Sequence, residues 1–112
     1  MSNEWVKELP FAVTVTDKIG NIIEMNAQSV KTFEKYGGKS LVGKNVKDVH
    51  SEHAYKKIAE IIETKTANSY TIEKNGVKKL VYQTPWYQDG EYAGLVELSM
   101  VIPAEIPHYV RQ

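Results

Sequence analysis

Two dipeptides, Asn75-Gly76 and Asp89-Gly90, constrain this chain more than anything else in it. Both of their residues readily take positive φ, which suits the tight turns whose twist matches that of two antiparallel strands. Each dipeptide sits between runs of strand-forming residues: "SYTIEK" and "VKKLVYQT" flank the first, and "EYAGLVELSMVI" follows the second. The last third of the protein is therefore three strands joined by hairpins, each antiparallel to its neighbour in sequence.

The first half has a different rhythm. "AVTVT" alternates apolar and polar residues with the period of a half-buried strand. "DKIGN" supplies turn chemistry, with Asp17 able to bond the backbone ahead and Gly20 able to take a positive φ. "IIEM" completes a hairpin over 12–25. Asn26 is placed to cap a helix through "AQSVKTFEKY", which Gly37-Gly38 ends. "KSLVGKNVKDV" has room for one or two helical turns. Ser51 caps a longer helix, "EHAYKKIAEIIETKT", where Tyr55, Ile58, Ala59 and Ile62 form an apolar stripe. At the N-terminus, Ser2 or Asn3 can cap a short helix that carries Trp5, Val6 and Leu9 and stops at Pro10. The two prolines of "PAEIPHYVRQ" keep the tail from continuing a central strand. Two strands, then helices, then three strands is an α+β order with the helices segregated from an antiparallel sheet.

At 112 residues this is one domain. The 14 basic residues balance the 14 acidic ones with no long single-sign block, which removes the electrostatic footprint of a nucleic-acid binder or a polybasic membrane anchor. No apolar run approaches the roughly 20 residues of a membrane span, and the start has no signal-peptide core. With no cysteine there is no disulfide, thiolate metal site or cysteine nucleophile. A cytoplasmic protein is the expectation. Phosphate-cradling loops, nucleophile elbows and paired metal-binding histidines on a helix are all missing, so no motif supports an enzyme.

The order of elements, with three local motifs, resembles the PAS domain family over roughly Pro10 to Ile102. "AVTVTDKIGNIIEMN" is similar to the family's opening hairpin, "YGGKSLVGKNVKDVH" to its helix-end connector, and "YQTPWYQDGEYAGLVELS" to its last hairpin. The resemblance implies a PAS-like five-stranded antiparallel sheet in the order 2-1-5-4-3 with helices on one face. It also implies a small-molecule or cofactor cavity between sheet and long helix, and a role as sensor or dimerisation module. The division expected is a helical segment over 1–10, the PAS domain over 11–102 and a tail over 103–112. One departure is the exit "SMVIPAEIPHYVRQ", where many relatives have an Asp-Ile-Thr-like lead into a signalling helix. Met1 and the N-terminal helix favour a stand-alone domain.

Strand parity assigns the faces. Gly94, Val96, Leu98 and Met100 share one side of the last strand and are the more apolar set, so they are expected inward with Tyr82 opposite. Leu95, Glu97, Val81 and Gln83 then fall on the outer face, where Trp5, Val6 and Leu9 would cover them or a homodimer or signalling partner would dock. The expected pocket residues are Met25, Phe33, Tyr55, Tyr70, Tyr82, Trp86 and Met100, either lining a ligand site or simply filling a solid core that leaves the outer face to work as an interaction surface. Some PAS domains bind haem through a histidine on the long helix. Here only His50, just before that helix, is placed for it, while His53 is expected to point to water. His50 and His53 are too sparse for zinc. No cysteine is present for a flavin photoadduct, although non-covalent flavin stays compatible.

Overall fold

The computed structural model of the protein describes residues 4–112. The proposed helix caps Ser2 and Asn3 lie outside the described residues. A single turn of helix, α1 (Glu4–Lys7), precedes β1 (Ala12–Thr16) and β2 (Ile22–Met25). Helix α2 (Ala27–Thr32) gives way to 3₁₀ turns at Glu34–Tyr36 and Gly38–Leu41, then α3 (Val46–Val49) and α4 (Glu52–Thr64). Strands β3 (Asn68–Lys74), β4 (Val77–Gln88) and β5 (Glu91–Val101) follow. All pairings are antiparallel and the sheet order is β2-β1-β5-β4-β3, the expected arrangement.

The turn chemistry falls where the sequence places it. Asn75 and Asp89 adopt φ of 53° and 51°, followed by Gly76 and Gly90 at 78° and 82°. The Ser51 hydroxyl caps α4 by accepting from Ala54 N at 3.1 Å. The helix after Asn26 is shorter than expected, because the chain tightens into a 3₁₀ turn after Phe33. Strand β4 runs past the expected Thr84 and straight through Pro85. β3 pairs with β4 only as far as Gln83, so among the described residues no strand pairs with that edge of β4 from Thr84 onward. A residue without an N–H is tolerated there.

The main core packs Ile58 and Ile61 of α4 and Leu41 and Val46 of the connector against Ile22 and Leu95 of the sheet. Leu95 on this side fixes the parity of β5, and it is the reverse of the expected one. Leu95, Glu97 and Ser99 face the helices, as do Val81 and Gln83 on β4. Leu80, Tyr82, Leu98 and Met100 alternate with them and lie on the other face. The face chosen from hydrophobicity is apolar, but it is not the core. Both faces of β5 are rich in apolar residues, so composition alone cannot tell them apart.

Asn26 holds the N-terminal elements together. It is 2% exposed, and its side chain makes four hydrogen bonds. Oδ1 accepts from Ser29 N at 3.0 Å, capping α2, and from Val13 N at 2.9 Å. Nδ2 donates to Val6 O at 3.0 Å and Phe11 O at 2.9 Å. The carbonyl of α1 is thus tied to β1, β2 and α2 by one amide, and Val6 is buried beside it.

Gly94 is the other tight point. Its φ is +149°, and a Cβ there would overlap the carbonyl oxygen of Thr16. The same carbonyl accepts from Trp86 Nε1 at 2.9 Å, while Thr16 Oγ1 accepts from Leu95 N at 3.0 Å. The end of β1 is thereby clamped to the β4–β5 hairpin.

Two substitutions test these joints. Gly94→Ala is expected to lower the unfolding free energy by about 3 kcal/mol or more, since both conformation and space oppose it; a change under 1 kcal/mol in urea titration would contradict the close approach. Asn26→Asp keeps the acceptor that caps α2 but sets a carboxylate oxygen against the carbonyls of Val6 and Phe11. Amide exchange in 4–11 should then rise well above the wild-type level, with α2 less affected.

Candidate functional site

A cleft of about 980 Å³ lies between the helix-facing side of the sheet and α4. Its walls include Ile22, Leu41, Val46, Ile58, Ile61 and Leu95, the same side chains that form the core. The helices cover the sheet unevenly. Over β3 the sheet is largely bare, and Tyr70 and Ile72 remain 44% and 49% exposed.

A polar row crosses this apolar floor. In register, Asn68 of β3 stands beside Gln83 of β4, Gln83 beside Glu97 of β5, and Glu97 beside Thr14 of β1. Asn68 Nδ2 donates to Gln83 Oε1 at 2.9 Å, and Gln83 Nε2 donates to Glu97 Oε2 at 2.8 Å. Thr14 Oγ1 lies 2.6 Å from the fully buried Ser29 Oγ. The carboxylate expected on the outer face is on the cleft floor, and its expected neighbour Gln83 has come with it.

Tyr70 joins this floor. Its hydroxyl titrates above the usual tyrosine value, first because of burial and then because the Glu97 charge opposes a second negative charge nearby. Tyr92, outside the cleft, is also raised, mainly by burial, with smaller contributions from Tyr87, Asp17 and Tyr55. Its hydroxyl is buried and finds no hydrogen-bond partner among the described residues, while Lys65 Nζ lies 4.3 Å from the ring centroid.

His50 and His53 both border the cleft. His50 Nδ1 is 2.8 Å from Val46 O. A carbonyl only accepts, so this bond requires Nδ1 to carry the proton and leaves Nε2 as the free nitrogen. His53 is exposed and stands one turn before Lys57 on the side of α4 that meets the cleft, rather than on the side turned away from it. Among the described residues no group of three or more metal-ligating side chains occurs.

The expected pocket residues divide. Met25, Phe33 and Tyr70 line the cleft. Tyr55 packs on the core without lining it. Tyr82 and Met100 lie on the opposite face by parity, and Tyr82 is 39% exposed. Trp86 is held at the hairpin end by its bond to Thr16 O. Of the expected partner surface, Val81, Leu95 and Glu97 belong to the cleft side. Val6 is buried, Leu9 is half-buried and Trp5 is exposed. Sequence reasoning missed Asn68 and Gln83 as floor residues; their signal was the position of each directly opposite the next polar residue across a hairpin.

No protein-family model matches the sequence, and no curated protein does. Solved structures do. A C-terminal domain from Streptococcus mutans superposes with a TM-score of 0.74 at 21% identity, covering 90% of this chain and 82% of that one. The PAS domain of Bordetella pertussis BvgS gives 0.65 at 16% identity, covering 88% and 82%. The Vibrio cholerae Aer2 receptor, described as a dual PAS-heme oxygen sensor, gives 0.59 at 18% identity, covering 82% and 94%. The chain has the PAS fold. No helix among the described residues is long and apolar enough to cross a membrane.

Two outcomes follow from the reversed parity and the raised tyrosines. Leu95→Lys places an ammonium in the core, and a drop of about 3 kcal/mol or more in unfolding free energy is expected; a stable variant would return Leu95 to the surface. A tyrosine raised in the folded state stabilises fully below its unfolded pKa, and that contribution is lost as pH climbs through the folded value. The urea midpoint should therefore fall between pH 9 and pH 11, and less steeply in a Tyr70→Phe/Tyr92→Phe double variant.

Proposed function

We propose that this chain is a sensory PAS module that binds a small, largely apolar molecule in the cleft between the sheet and α4. The observation that carries this reading is the cleft itself, about 980 Å³ with apolar walls and a few convergent polar groups. The structural neighbours named as sensors support the signalling half of the reading. Occupancy acts by favouring one of two states, since a ligand shifts an equilibrium only by its differential affinity. The element best placed to report it is α1, held through Asn26, which also fixes the α2 end carrying Ser29.

Native mass spectrometry with an absorption spectrum, on protein purified without added cofactor, tests the proposal. A retained small molecule, or one gained from cell extract with a rise in melting temperature, is the expected result. An apoprotein that gains neither mass nor stability from any extract fraction would sink it.

A second reading makes the outer face the working surface, for a homodimer or a signalling partner. Its support is the half-buried apolar set Leu80, Leu98 and Met100 with exposed Tyr82. Light scattering on a size-exclusion column should then show a dimer that Tyr82→Lys dissociates. A third reading is haem, carried by the free Nε2 that the His50–Val46 bond leaves. A Soret band lost in His50→Ala would establish it, and no band after haem supplementation ends it.

A further inference from the structure

Glu97 is a carboxylate in an apolar setting with little to balance it. It sits mid-row on the cleft floor, flanked along β5 by buried Leu95 and Ser99 on the same face. One oxygen accepts from Gln83 at 2.8 Å. Among the described residues it takes part in no ion pair; the two salt bridges are Lys7–Glu4 and Lys57–Glu60, both on the exterior. Glu97 is half-buried, and a carboxylate partly removed from water loses hydration that one neutral amide does not fully replace.

The neighbouring amides are already committed in one direction. The Gln83 NH₂ is turned to Glu97, which can only accept, and its oxygen is turned to the Asn68 NH₂. That orientation leaves the second Glu97 oxygen and the Asn68 oxygen with open lone pairs, more acceptor sites than the one remaining hydrogen on each of the Gln83 and Asn68 amides can fill. The floor therefore asks for a donor. Of the cations that border the cleft, Lys44, Lys57, His50 and His53 are exposed, while Lys79 is half-buried on the floor face of β4, four residues along the strand from Gln83. Lys57 is paired at 3.5 Å with Glu60, and charges on an exposed rim are screened by water and salt. The Glu97 charge, half-buried on the cleft floor beside buried Leu95 and Ser99, acts at a lower effective dielectric than those exposed charges.

We propose that Glu97 is the anchor for a protonated nitrogen, so that the cleft takes an apolar organic amine whose ammonium meets Glu97 and Asn68 while its hydrocarbon body lies against α4. The inference rests on the ligand-binding reading above and narrows it to one chemical class.

Two probes of matched shape, 4-phenylbutylamine and 4-phenylbutyrate, separate the classes. Calorimetry on the full chain at pH 7 is expected to give the amine at least tenfold tighter binding than the acid. The Gln83 and Asn68 side-chain amide signals should shift in nitrogen–proton spectra on adding the amine. Glu97→Gln, which preserves the row's shape, should erase the tenfold preference, and Glu97→Asp should keep its sign. A common urea midpoint for the three proteins excludes unfolding as the cause; if Glu97→Gln fails to fold, the amide-signal shifts in the wild type decide alone. Equal or tighter binding of the acid, an unchanged preference in Glu97→Gln, or no binding of the amine at 10 mM overturns the inference. A retained native ligand without a basic nitrogen would overturn the amine class while leaving the ligand-binding reading intact. Absence of both probe binding and any retained or captured molecule would remove the two together.

Discussion

One buried amide organises the N-terminal half of this domain. Asn26 closes β2, caps α2, meets β1 twice and takes the carbonyl of α1. Without it, four backbone groups, those of Val6, Phe11, Val13 and Ser29, would lose partners together, each at about 1–3 kcal/mol. Asparagine alone among small side chains offers two acceptor sites and two donors on a frame short enough to reach all of them. The position of α2, and through Ser29 the hydroxyl pair with Thr14 at one end of the cleft floor, follows from that choice.

The cleft owes its size to an imbalance between sheet and helices. Five strands present a broad face, yet among the described residues only α4 is a helix longer than six residues. Its Ile58 and Ile61 pack with Ile22 of the edge strand β2 and Leu95 of the central strand β5 and leave β3 nearly uncovered. Polar residues are tolerated on the core side because that strip of sheet is only half-covered. The row from Asn68 to Thr14 places its members side by side across strands, so the amides and the carboxylate gain partners from within the sheet.

Local signals in the sequence proved sufficient for the architecture. Asn-Gly, Asp-Gly, the Asn26 and Ser51 caps and the period-2 runs are each decided by neighbouring residues, and each lies where it was expected. The facing of β5 was not legible. Parity fixes which residues share a side, but the choice of side was made by counting apolar residues, and Val96, Leu98 and Met100 outnumber Leu95. What settles the question is long-range: Thr16 and Asp17 press against Gly94 and demand its bare face there, which puts Leu95 under α4. Tyr82 and Met100 left the pocket side and Glu97 and Val81 entered it for that single reason. Met25, Phe33 and Tyr70 do not belong to β5 or β4, and their placement survived the reversal.

Pro85 has a bearing on the company this protein keeps. An unpaired strand edge is a template on which another chain can add itself, and the free ledge of β4 beyond Gln83 is such an edge. Pro85, itself buried, offers neither a donor nor ready access to an incoming strand, and the charged hairpin tip at Asp89 and Glu91 follows at once. The unpaired stretch of β4 is thereby guarded against self-polymerisation, while the cleft over β3 stays open to smaller visitors.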